Sequence, residues 1–142
     1  MQIIKPSPRR GNFIGLLGSV LIFVSAWLDT DKHSGPRTAL IVGCCINCFS
    51  LLNHILYLFT KEAKESIWSK GGLISLAITP APRRGLSIGM LGLTIMFLGM
   101  GLIWLDVPQA FYLALLGWVF VMLGMVNHWR WFCKPGSLNI DS

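Results

Sequence analysis

Acidic side chains are the scarcest chemistry in this sequence. Six of its 142 residues are Asp or Glu, and none lies within residues 12–28, 38–59, 86–105 or 109–131. Paired carboxylates for general acid–base work inside those stretches are thereby excluded. So is the intramembrane carboxylate that marks many proton-coupled transporters. The usual catalytic signatures are missing too: no HExxH, no phosphate-loop lysine, no defensible nucleophile–base pair. The four cysteines do not form a disulfide framework. Cys44, Cys45 and Cys48 fall inside one apolar run and Cys133 just after another. There they behave as small apolar residues. Cys45-x-x-Cys48 has no partner pair, whereas a zinc site needs about four ligands. No metal site is expected, and the chain does not read as an enzyme.

Charge is sparse overall, at 13%, against 54% hydrophobic residues and a mean hydropathy of +0.63. The four runs named above are each about the 20 residues that cross a bilayer. Backbone groups in hydrocarbon must pair internally, which leaves helices or closed barrels. Barrel strands alternate in polarity, and these runs do not. The expectation is an all-α membrane protein with four transmembrane helices. The first run ends at Trp27-Leu28-Asp29 without a small-residue cleavage site, so it reads as a retained span.

One unit occurs twice. Residues 6–18 read PSPRRGNFIGLLG and residues 80–92 read PAPRRGLSIGMLG, an offset of 74. Trp27-Leu28-Asp29 returns as Trp104-Leu105-Asp106, Gly43 as Gly117, and Asn53-His54 as Asn127-His128. Internal repetition of this kind sets the architecture. The expected organisation is a first two-helix repeat over 1–60, a linker over 61–79, a second repeat over 80–134, and a polar tail over 135–142. Within the linker, KEAKESIWSK is charged, Gly71-Gly72 breaks the chain, and the apolar stretch that follows is too short to span.

Net charge is +6, but its placement does not point to nucleic acid. Lys5, Arg9, Arg10, Lys61, Lys64, Lys70, Arg83, Arg84, Arg130 and Lys134 flank one side of the spans, and Lys32 and Arg37 the other. That bias puts both termini in the cytoplasm. Both repeats then share one orientation, related by an axis along the membrane normal. Arg9, Arg10, Arg83, Arg84 and Arg130 are candidate contacts to anionic lipid headgroups.

Two patterns are candidate sites. Gly11, Gly15 and Gly18 on helix 1, and Gly85, Gly89 and Gly92 on helix 3, share one helical face by their steps of four and three. Small residues allow close helix packing in lipid. They serve either the chain's own packing or a homo- or hetero-oligomer. The second pattern is a stripe of Gly43, Asn47, Ser50 and His54 on helix 2, matched by Gly117, Val121, Gly124 and His128 on helix 4, with Asn53 and Asn127 directly before the histidines and about 100° away from them. An intramembrane imidazole is a functional candidate. The readings are structural hydrogen bonding, a polar path for a small transporter or channel along helices 2 and 4, or bis-histidine haem ligation between them. The leading expectation is a non-enzymatic bacterial inner-membrane protein, without cofactor, acting through helix–helix contacts as a subunit or accessory of a membrane assembly.

Overall fold

A computed structural model describes residues 6–28, 34–67, 71–72, 75, 79, 81 and 84–133. Its elements are α1 (Pro8–Trp27), α2 (Ser34–Leu58), α3 (Lys61–Ser66), α4 (Arg84–Trp104) and α5 (Ala110–Phe132). Four of these helices, all but α3, are long and apolar enough to cross a membrane. Expectations that fall on Asp29, Trp68, Arg83, most of the apolar linker stretch and the tail lie outside the described residues.

Local chemistry fixes the helix ends. Ser7 caps α1, its hydroxyl accepting from the Arg10 amide at 3.4 Å. Pro8 stands at the first position, where its missing N–H costs nothing. α2 begins at Ser34, earlier than the expected 38, and takes in Ser34 to Arg37. Pro36 is tolerated because first-turn amides have no intrahelical acceptor anyway. The start of the linker is helical rather than irregular. Thr60 caps α3, accepting from the Ala63 amide at 3.3 Å while its own hydroxyl donates to the Tyr57 carbonyl at 2.7 Å. Ala63 and Ile67 are buried. Gly71 and Gly72 then take positive φ values of 95° and 75°.

α4 and α5 are joined by a tight turn built on one left-handed residue. Asp106 has φ 64°. Its amide donates to the Ile103 carbonyl at 3.0 Å, and the Val107 amide reaches back to the Leu102 carbonyl at 3.0 Å. This is a Schellman cap with Asp106 in the position usually held by glycine.

Packing is not a closed four-helix ring. α1 touches α2 and α4, α2 also touches α4, and α5 touches only α4 among the described helices. The reason lies on α4. Its contacts to α5 run through Gly85, Gly92, Met96 and Gly99. Its contacts to α1 and α2 run through Ser87, Thr94 and Gly101. Gly92 and Thr94 are two residues apart, about 200° around the helix. α5 is therefore held on the side of α4 away from α1 and α2.

Interior and exterior are inverted relative to a water-soluble domain. Buried side chains include Ser19, Ser25, Asn47, Ser50, Thr94 and Asn127 beside a small cluster of Ile22, Leu40, Cys44 and Leu98. Phe13, Phe23, Phe49, Phe111, Trp118 and Met125 face outward. An exposed apolar surface on that scale would drive aggregation in water; in lipid it costs nothing.

The turn supplies a test. A β-branched residue in left-handed backbone is disfavoured by roughly 1–2 kcal/mol, while glycine is not. Asp106→Gly is expected to match or exceed the parent in thermal stability. Asp106→Ile is expected to lose about 1–2 kcal/mol, read as a lower midpoint of detergent-induced unfolding.

Candidate functional site

The candidate site is a pair of glycine seams and the polar cluster between them. In the first seam α1 and α2 run antiparallel. A Cβ on Gly11 would meet the His54 ring at 2.6 Å, and one on Gly18 would meet Asn47 and, at 2.9 Å, the Gly43 carbonyl. In the second, a Cβ on Gly85 would meet the His128 amide at 2.7 Å, and one on Gly92 the Gly117 carbonyl at 2.8 Å. Gly11 faces His54 as Gly85 faces His128, and Gly18 faces Gly43 as Gly92 faces Gly117. Each second-seam contact is the first-seam contact shifted by 74. Backbones this close gain dispersion and Cα–H···O contacts, which hold helices together where no water drives them.

The equivalent glycines Gly15 and Gly89 do not have equivalent surroundings. A Cβ on Gly15 would collide with the Thr94 side chain of α4 and approach Ser50 Oγ at 2.8 Å. A Cβ on Gly89 meets nothing within 4 Å. Gly89 lies on the floor of a groove of about 480 Å³ along α4 and α5, with Leu86, Met90, Leu93, Val121 and Met125 among its walls.

Polar side chains knit the junction of α1, α2 and α4. Asn47, fully buried, donates from Nδ2 to Ser19 Oγ at 3.4 Å and to the Thr94 carbonyl at 3.3 Å. Ser50 donates to the Gly11 carbonyl at 2.6 Å. Thr94 donates to the Met90 carbonyl at 3.0 Å, and Asn12 to Ser87 Oγ at 3.4 Å. Asn47 and Ser50 are thus occupied inside the helix cluster and do not line an open path. Sequence reasoning singled out Asn47 and Ser50 by their stripe. It missed Asn12, Ser19, Ser87 and Thr94, because an isolated Ser, Thr or Asn in an apolar run carries no periodic signal.

Asn53 and Asn127 have a shared task. Asn53 Nδ2 donates to the Ser7 carbonyl at 2.7 Å, and Asn127 Nδ2 to the Thr79 carbonyl at 3.2 Å. Each ties the chain just before the odd helix of its own sequence copy to the end of the even helix.

The histidines are not brought together. His54 sits on α2 and His128 on α5, and those helices make no contact. Without a contact between α2 and α5, neither the haem reading nor the polar path shared by helices 2 and 4 gains support. The cause is the placement of α5 on the far side of α4. His54 Nε2 is buried against Gly11 without a hydrogen-bond partner. His128 packs edge-on to Phe132, ring centroids 4.8 Å apart. Cys44 is buried and Cys45, Cys48 and Cys133 are exposed, all free thiols. Among the described residues, no three His, Cys, Asp or Glu converge to hold a metal ion. Arg9, Arg10 and Arg130 are exposed and Arg84 is half-buried.

No protein-family model, no curated protein and no solved structure matches this chain.

The seams make distinguishable predictions. Gly92→Ala would put a methyl 2.5 Å from the Val121 amide, and backbone cannot rotate aside. It is expected to lower stability by roughly 1–3 kcal/mol, the usual cost of overpacking. Gly89→Ala is expected to leave it unchanged. Asn47→Val, which copies the residue at the equivalent Val121, loses two interhelical bonds worth about 0.6 kcal/mol each. Unfolding in a bilayer by steric trapping measures all three.

Proposed function

We propose that this protein is a non-enzymatic, multi-pass subunit or accessory of a larger assembly in the bacterial inner membrane, acting through helix–helix contacts. The supporting observation is the groove beside Gly89. It has a glycine floor and largely apolar walls with His128 among them, runs along α5, a helix with a single described neighbour, and is not filled by the chain's own described residues. The counterpart position, Gly15, is filled by Thr94. Glycine-floored grooves in lipid are where a further helix gains most, because close backbone approach replaces the missing hydrophobic drive.

In this reading the chain is two tandem two-helix repeats of one orientation. The shift of 74 between seam contacts supports the repeat, and the Lys and Arg bias supports cytoplasmic termini. The exposed arginines and Trp129 then sit at the cytoplasmic face, where they favour anionic lipid. Trp27 and Trp104 mark the opposite interface.

Two measurements test it. A reporter that fluoresces only in the cytoplasm, fused after Ser142, is expected to light up; a stable but dark fusion refutes the orientation. In mild detergent the protein is expected to migrate well above its 15.8 kDa plus the detergent belt. A strictly monomeric protein that co-purifies with nothing refutes the assembly role.

A further inference from the structure

We infer that the occupant of the Gly89 groove is α1 of a second copy of this chain, so that copies join head to tail. This rests on the assembly reading above and narrows its partner.

One interface of this kind already exists inside a single copy. α4 docks on the seam of α1 and α2, placing Thr94 over Gly15. At the rim Asn12 donates to Ser87, and deeper in Asn47 donates to the Thr94 carbonyl. By the offset of 74, the seam of α4 and α5 is the same surface again, and the helix equivalent to α4 is α1. α1 is already used within its own copy, mostly on another face, although Val20 also borders a cavity of about 130 Å³ shared with Met90, Leu93 and Thr94 of its own α4. The residues equivalent to Ser87, Leu91 and Thr94 are Phe13, Leu17 and Val20, and these are 63%, 51% and 52% exposed. They follow steps of four and three, so they form one stripe.

The two surfaces have changed together. Within a copy, the docking helix offers Ser87 and Thr94, and the groove offers Asn12, Ser19 and Asn47. In the open groove those three positions are Leu86, Leu93 and Val121. On α1 the two docking positions are Phe13 and Val20. A polar helix face meets a polar groove, and an apolar face meets an apolar groove. Valine also has the shape of threonine without the hydroxyl, so Val20 fills the space over Gly89 as Thr94 fills that over Gly15. A polar groove wall opposite Phe13 or Val20 would leave donors unpaired in hydrocarbon.

Geometry permits the contact. α1 and α4 share an orientation in the proposed topology, so a second copy related by rotation about the membrane normal presents α1 correctly. The contact is heterologous: each copy offers α1 to one neighbour and its groove to another. Such contacts close into rings when the rotation permits.

Disulfide trapping tests this in the full chain within membranes. Two differently tagged copies are co-expressed with native cysteines replaced, one carrying Val20→Cys and the other Gly89→Cys. Oxidation is expected to link the two tags. Val119→Cys on α5, about 200° around that helix from Val121, is expected to link poorly with Val20→Cys. Gly89→Leu, which has room within its own copy, is expected to cut homo-oligomer formation about tenfold or more in the otherwise native chain, the scale of overpacking a close contact. Subunit counting in lipid nanodiscs reads that change without any cysteine, so a misfolded cysteine-free background does not decide the result. Linkage through Val20 and Gly89, with single copies in Gly89→Leu, supports the inference. Copies that stay single while Gly89→Cys links to another membrane protein overturn it and leave the assembly role standing. Single copies with no partner at all overturn both.

Discussion

Close contact between helix backbones is the constraint on which the rest of this structure depends. In hydrocarbon, burying a leucine between helices gains little, since lipid tails solvate it equally well. What remains is dispersion at short range, weak Cα–H···O contacts and hydrogen bonds between buried polar groups. All need small residues. Gly11, Gly18 and Gly43 supply them on one seam, Gly85, Gly92, Gly117 and Gly124 on the other. The large side chains have no place there and point outward. Burial is consequently given to Ser, Thr and Asn, each of which must find a partner inside.

α4 carries a double load. One face lies against α5 backbone to backbone. The other meets α1 and α2 through Thr94, Leu98 and Gly101. Gly101 lets α4 approach closely enough that a Cβ there would meet Cys44 Sγ at 2.7 Å. This arrangement gives two sequence copies two different surroundings. The first has its groove filled by α4 and its interior stitched by Asn47. The second has a groove that no described residue fills, and valine at the equivalent place. The divergence is chemical as well as spatial, since polar residues occur where a helix of the same chain arrives to pair with them.

The paired asparagines carry a similar lesson. Asn53 and Asn127 precede histidines, and the histidines draw attention as ligands or relays. The asparagines make the bonds that matter for the fold, each fastening the chain before an odd helix. The histidines have different surroundings: His54 lies against Gly11 of α1, and His128 against Gly85 of α4 and Phe132.

Sequence by itself determined the four spans to within about four residues, α1 and α2 each beginning four residues earlier than expected. Length and apolarity fix them, because hydrocarbon admits no unpaired backbone. It also determined that the glycines of α1 and α4 share faces, since 3.6-residue periodicity is local. Tertiary structure alone decided which surface each face meets. Nothing in the spacing of Gly15 and Gly89 tells that Thr94 covers one and nothing in the described chain covers the other. A lipid-facing surface and a protein-facing surface are both apolar here, so the contrast that reveals a buried face in a water-soluble protein is missing. The placement of α5 behind α4, the separation of His54 from His128, and the polar junction around Asn47 all follow from contacts among three helices distant in sequence, which no single helix encodes.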